Sequence, residues 1–271
     1  MLENMKKSFP IIKDDPWLQP FAPAIEGRHE DALKKMKELA GKGKLSDFAN
    51  AYNYYGLHRT DNGWTFREWA PNATDIYIVG PFNEWTECEP YRMKRLTDGN
   101  WEINLPERAM AHGDLFKLHV HWNGGWGERI PAYATRVVQD DTTKIFSAQV
   151  WSPEKPYEFK VHDFVPTVDP LLIYECHIGM AQNKEAVGSY EEFRTEVLPR
   201  IVKLGYNAIQ IMAIQEHPYY GSFGYHVSSF YAASSRFGTP EELKHLIDDA
   251  HAHGLAVIMD IVHYHTVKNE V

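Results

Sequence analysis

The sequence predicts a multidomain protein: an all-β sandwich followed by the first β/α units of a parallel (β/α)8 TIM barrel. Three observations carry this prediction. From His58 to about Trp151, short alternating runs are broken by turn residues at close spacing, the texture of two packed antiparallel sheets. From Leu171 onward, apolar runs alternate with capped helical segments in the order βαβαβ, which calls for a parallel sheet. The last run, Leu255-Ala-Val-Ile-Met-Asp260-Ile-Val-His263-Tyr-His265, opens from an apolar strand onto an acid and two histidines. Strand C-terminal ends are where parallel α/β enzymes place their chemistry.

Taken in order, residues 1–27 read as irregular, because Pro10, Pro16, Pro20 and Pro23 interrupt a continuous helix. Arg28 to Lys42 reads as a helix with Ala32, Leu33, Met36, Leu39 and Ala40 on one stripe, packed on a neighbouring domain and ended by Gly41 and Gly43. Five strands follow at 64–69, 75–79, 100–105, 114–120 and 144–150, with Asp61-Asn-Gly63, Asp98-Gly99 and Asn123-Gly124-Gly125 as turns. Beyond Pro153, Pro156 and Pro166 comes a strand at 171–175. Ser189-Tyr-Glu-Glu192 is a capping box opening a helix that buries Phe193, Val197, Leu198, Ile201 and Leu204, with a kink expected at Pro199. A second strand spans 208–214, and Thr239-Pro-Glu-Glu242 is a second capping box with Pro240 at the favoured first position. A dinucleotide-binding half would place a glycine-rich turn after its first strand. Glu175-Cys-His177-Ile-Gly-Met180 has a single glycine there, and the loop 215–237, rich in acids, histidines and aromatics, fits a barrel better.

Composition narrows the partners. The 271 residues carry 28 Lys and Arg against 37 Asp and Glu, a formal charge of −9 that argues against nucleic acid or an anionic membrane. Hydrophobic residues at 44% suffice for a folded core, and no run is long enough to span a membrane or act as a signal peptide. Cys88 and Cys176 form no disulfide framework, so a reducing, cytoplasmic setting is expected. The 15 Tyr and 8 Trp suit either flat sugar faces or half-buried sheet packing.

Glu175, Glu216 and Asp260 stand at three strand ends. They serve either as a carboxylate pair for glycosidic-bond chemistry or as acceptors for loop N–H groups and arginines. His177, His217, His226, His263 and His265 match no standard zinc spacing, and no metal is expected. His177, His217 and His265 follow different strands and are expected to converge on one polar pocket, with Tyr219, Tyr220, Phe223 and Tyr225 adding ring faces. Such a mixture suits a sugar better than a phosphate or a hydride donor.

Three segments in order, Met212-Ala-Ile-Gln-Glu-His217-Pro-Tyr-Tyr-Gly-Ser-Phe-Gly-Tyr225-His-Val, Ser235-Arg-Phe-Gly-Thr-Pro240 and Asp260-Ile-Val-His-Tyr-His265, resemble a known family. It is the 1,4-α-glucan (glycogen/starch) branching family, within glycoside hydrolase family 13, the α-amylase superfamily. Ile173-Tyr-Glu-Cys-His177-Ile-Gly is similar to its first barrel strand. Phe66-Arg-Glu-Trp69-Ala-Pro71 and Gly80-Pro-Phe-Asn-Glu-Trp85 are similar to the family 48 carbohydrate-binding module, an immunoglobulin-like sandwich that precedes such barrels. The resemblance implies an N-terminal extension with a helix over 1–57, the module over 58–157, and three strands and two helices of the barrel over 158–271.

It further implies that Tyr225 stacks on the sugar at the cleavage site, that His265 hydrogen-bonds that sugar, that Asp260 orders the pocket, and that His217 lines the rim. Tyr264 and Thr266 stand where the signature has Ser and Ala. Trp85, Lys117 and Trp126 match glucan-binding positions of the module, although no Asn stands near Thr142 and Thr143. Trp85 either packs on the barrel or stacks on a sugar, and Trp126, on a turn, is expected to be exposed. The implied chemistry is a retaining double displacement by an Asp, a Glu and an Asp on the fourth, fifth and seventh strands, with a 6-hydroxyl as acceptor. Those residues would lie beyond Val271, so the chain reads as an inactive N-terminal fragment with an incomplete barrel and no catalytic residue or cofactor of its own. The implied partner is α-1,4-glucan (glycogen, amylose or amylopectin), and the whole enzyme is expected to be a monomer. The alternatives are a glucan-binding module without catalysis and a debranching or hydrolytic relative.

Overall fold

The computed structural model describes residues 9–166 and 170–267. The opening stretch 1–8, part of the segment lacking a signal-peptide core, lies outside them. Residues up to Tyr54 form one compact unit and those from Tyr55 a second. In the first, helices span Pro10–Asp14, Ala22–Ala40 and Leu45–Phe48, with a 3₁₀ turn at Gln19–Phe21. Residues 9–27, the described part of the stretch expected to be irregular, are therefore largely helical, and the long helix starts at Ala22 rather than Arg28. Pro10, Pro20 and Pro23 each fall in a first turn, where a missing N–H leaves no bond unmade. None of the side chains of Ala22–Ala40 is buried.

The second unit opens with nine strands: β1 Gly56–Thr60, β2 Gly63–Trp69, β3 Ala73–Val79, β4 Lys94–Arg95, β5 Asn100–Leu105, β6 Leu115–Trp122, β7 Gly125–Arg129, β8 Val137–Gln139 and β9 Phe146–Gln149. They form two antiparallel sheets, ordered β1-β2-β5-β4 and β3-β6-β9-β8, with β7 paired to β6. Phe66, Ile76, Ile78, Trp101, Leu118 and Ala148 fill one core between them. All five expected strands are present, 100–105 with the expected ends and the other four with shifted ones. The four unexpected ones are short or carry little alternation: His58-Arg-Thr60 and Gly125-Trp-Gly-Glu-Arg129 are mostly polar or glycine, and Lys94–Arg95 has two residues. Along β6 the pleat sends Phe116, Leu118 and Val120 into the core and Lys117, His119 and His121 to the opposite face.

The chain then builds a parallel sheet, β10 Ile173–Cys176, β11 Ala208–Ile211 and β14 Ala256–Met259, in the order β10-β11-β14. Ile173, Ala208 and Ala256 are in register, as are Cys176, Ile211 and Met259. Between β11 and β14, β12 Gln215–Glu216 pairs antiparallel with β13 Ser229–Ala233, so the expected loop 215–237 is partly a hairpin. Both capping boxes form: Glu192 N donates to Ser189 Oγ at 3.1 Å, and Glu242 N to Thr239 Oγ1 at 3.2 Å. The first crossover helix widens into π turns over Phe193–Val197 just before Pro199. A wider turn is one way a helix absorbs a residue with no N–H to give, so the expected disruption takes that form. Leu204, expected inside, is 70% exposed, because the helix ends at Lys203.

Asp248, 1% exposed, clasps the segment that joins the two parts of this unit. It accepts from Tyr157 Oη at 2.7 Å, Lys160 N at 2.9 Å and Val161 N at 3.0 Å. Burial pushes its carboxyl up, but the bonds from Lys160, Tyr157 and Val161 outweigh burial and hold it below the usual carboxylate range. A depressed carboxyl stabilises the fold above its unfolded pKa of about 3.9 and ceases to as pH falls through the lower, folded value. Asp248→Asn should cost about 2 kcal/mol at neutral pH. Proteolysis near residues 157–161 should rise in the variant, and below pH 4 in the unmodified chain. Equal cleavage of both proteins at neutral pH would refute the clasp.

Candidate functional site

The parallel sheet delivers its polar residues at one edge. β14 ends at Met259, and Asp260 N donates to Ile211 O at 3.2 Å, which holds Asp260 just past the strand end. Tyr225 Oη donates to Asp260 Oδ2 at 3.1 Å. Burial and the Asp260 carboxylate both push the phenol upward, so Tyr225 keeps its proton and remains the donor. The segment after Asp260 then lies along the loop that follows Tyr225. Val267 N donates to Val227 O at 3.1 Å, and the Phe230 and His263 rings stack at 6.2 Å and 16°. The His226 and His265 rings lie 6.5 Å apart, tilted by 57°.

The histidines do not converge as expected. His177 and His217 are buried, packed against Phe237 at 5.4 and 6.3 Å, with Tyr220 and Phe223 edge-on to His177. Burial pushes both imidazoles down, and for His177 the neighbouring His217 adds to it. His265, by contrast, is exposed and has a left-handed φ of 64°. His217, expected to line the rim of a pocket, has no exposed surface here. Its carbonyl and that of Pro218 accept from Arg236 at 3.1 and 3.2 Å.

The two remaining strand-end acids act as acceptors. Glu216 is 1% exposed and takes hydrogen bonds from Ser235 N at 2.7 Å, His217 N at 3.1 Å and Ser234 Oγ at 3.3 Å. Burial raises its carboxyl further than these bonds lower it. Glu175 accepts from Gln210 Nε2 at 3.2 Å on the exposed sheet face. A buried, fully engaged Glu216 cannot reach a substrate, so these two do not form a catalytic pair.

A second polar face lies on the β6–β7 hairpin. Trp126 is 55% exposed and lies on β7 itself, one residue past the turn. Trp85 is 38% exposed, and Lys117 Nζ lies 6.0 Å from its ring. That contact lies within the β part, and more than a third of Trp85 remains exposed. Sequence reasoning missed Glu87, His119 and His121 beside these rings, although Lys117-Leu-His119-Val-His121 is a strand-period pattern. Among the described residues no His, Cys, Asp and Glu cluster could hold a metal, and no helix is long and apolar enough to cross a membrane.

Comparison with known proteins places both faces in context. Residues 54–134 match carbohydrate-binding module 48 (isoamylase N-terminal domain), and residues 184–270 match the alpha amylase catalytic domain. A 1,4-alpha-glucan-branching enzyme of Dictyostelium discoideum is 42% identical over 96% of this chain and 39% of that protein. One of Yarrowia lipolytica is 45% identical over 96% of this chain and 39% of its own length. The chain thus spans about 39% of the length of the curated relatives it matches. Among solved structures, a putative alpha amylase from Salmonella typhimurium aligns with a TM-score of 0.62 and 21% identity, covering 76% of this chain and 32% of that one. A pullulanase from Bacillus acidopullulyticus aligns with a TM-score of 0.64 and 18% identity, covering 78% and 30%. At that identity the likeness speaks for the fold alone. In sequence the chain is thus similar to carbohydrate-binding module 48, to part of the alpha amylase catalytic domain and, over 96% of its length, to 1,4-alpha-glucan-branching enzymes.

Proposed function

We propose that this chain is the N-terminal part of a 1,4-α-glucan branching enzyme, which cleaves α-1,4-glucan and transfers the cut chain to a 6-hydroxyl. In this reading residues 1–57 are an extension, 58–157 an immunoglobulin-like glucan-binding module, and 158–271 the first three strands and two helices of a (β/α)8 barrel. The observation that carries it is the Tyr225–Asp260 hydrogen bond at the strand ends, 3.1 Å long, in a chain that resembles these enzymes throughout. The ring offers a flat face for a sugar, and Asp260 fixes the ring's orientation. His265, on the exposed turn beside His226, reaches the same sugar, and His217 braces the rim from below. Trp85, Lys117 and Trp126 form the module's glucan face. The nucleophile and the acid/base belong to later barrel strands, and the enzyme works as a cytoplasmic monomer.

The test compares the 271-residue chain with the protein extended to its relatives' length. On amylose, the extended protein should lower iodine staining and create α-1,6 branch points without new reducing ends. The shorter chain should leave both readouts at the buffer level, since losing a nucleophile and its partner costs many orders of magnitude in rate. New reducing ends without branches would mark a hydrolytic or debranching relative. Glucan retention without turnover by either protein would mark a binding module.

A further inference from the structure

Beside the two tryptophans, the outer face of β6 carries a charge cluster with no role in the site described so far. A single oxygen of Glu87 engages two imidazoles: Oε1 lies 3.0 Å from His119 Nδ1 and 2.8 Å from His121 Nε2. Glu128, on β7, accepts from Lys117 Nζ at 2.7 Å and sits 3.5 Å from His119 Nε2. Trp126 leans on both rings, at 4.9 Å from His119 and at 6.1 Å and 26° from His121. Trp85 stands at the other end, over Lys117. An unbroken chain of contacts therefore runs from Trp85 through Lys117, Glu128 and His119 to Trp126, and Glu87 anchors its histidines.

Glu87 is only partly engaged by the protein. Its side chain is 31% exposed, and its second oxygen, Oε2, makes no hydrogen bond among the described residues. Burial opposes its charge, but the hydrogen bonds from His121 and His119 outweigh burial and hold the carboxyl below the usual carboxylate range. It is a fixed, ionised acceptor beside an exposed indole. Stacking on a ring supplies contact area but leaves a sugar free to slide and rotate, and convergent polar groups fix its orientation.

We propose that Glu87, positioned by His119 and His121, is the hydroxyl-recognising residue of this face, its Oε2 accepting hydrogen bonds from a sugar stacked on Trp126. The inference rests on the reading of Trp85, Lys117 and Trp126 as a glucan face and adds the group that gives that face its specificity. Lys117 is engaged by Glu128, and the neighbouring Arg92 by Asp75 and Glu89, so with Glu87 ionised the face favours neutral, hydroxyl-rich chains and rejects phosphorylated ones.

The test titrates maltoheptaose into the whole chain by calorimetry and follows the His119 and His121 ring resonances by NMR. In the unmodified chain the sugar should shift both sets of resonances, and absence of any shift overturns the proposal without recourse to a variant. Glu87→Gln keeps the size of the side chain and an acceptor for the histidines. It should bind about tenfold more weakly at an unchanged melting temperature. Trp126→Ala should abolish measurable binding. If Trp126→Ala loses binding while Glu87→Gln and Glu87→Ala bind as the parent does, the glucan face stands and the role of Glu87 falls. If Trp126→Ala binds normally, the glucan face itself is refuted and Glu87 with it. Tighter binding of a phosphorylated maltodextrin than of the neutral one also overturns the proposal.

Discussion

Tyr225→Ala should lower turnover on amylose about a hundredfold in the full-length protein, measured as branch points formed per folded molecule. Two losses combine. The ring that would carry the sugar is gone, and Asp260 loses the donor that holds it at 3.1 Å. A displacement near 1 Å at a reacting centre is enough for an effect of this size. Tyr225→Phe keeps the ring and removes only the hydrogen bond, so its loss should be about tenfold. His265→Ala should lower kcat and kcat/KM together, as for a contact that strengthens in the transition state. None of the three should change retention on a glucan column, since the face around Trp126 is untouched. A lower melting temperature with near-normal activity per folded molecule would mean that Tyr225 and His265 merely brace the strand ends.

What the sequence made legible follows the range over which each signal acts. Capping boxes are contacts three residues apart, and both form with the expected atoms. The alternation of 75–79 and 100–105 and the apolar run of the third parallel strand also act locally, and those strands lie where expected. Helix starts in the first unit failed because a proline count ignores position: Pro10 and Pro23 begin helices that the same residues would break farther in. The site was legible only as residue types. That His177 and His217 turn toward Phe237 while His265 leaves on a left-handed turn depends on long-range packing, which spacing along the chain does not encode. Glu216 shows the same limit. Its position at a strand end marked it as polar, but only the hairpin β12–β13 brings Ser234 and Ser235 to consume both of its oxygens.

The backbone behind Tyr225 is the most exacting point in the α/β part. Gly224 has a φ of +87°, and a Cβ added there would lie 1.7 Å from Ala213 O and 2.7 Å from Ala213 C. Both obstructing atoms are backbone, on the segment that follows β11, so no side chain can rotate out of the way. Gly254 has a similar φ of +77° with no heavy atom within 4 Å of the added carbon. The pair separates conformational strain from collision. Gly254→Ala should cost about 1 kcal/mol, the penalty of a left-handed conformation alone. Gly224→Ala adds the collision and should cost more than about 4 kcal/mol, among the largest effects of a single substitution. Urea unfolding of the two variants measures the difference. Hydrogen exchange should locate it, with protection lost at Val267, whose amide donates to the Val227 carbonyl, and retained in β2 and β5. Equal costs for the two substitutions would show that the chain at Ala213 yields freely, and that the close approach of these two segments is not what fixes Tyr225 against Asp260.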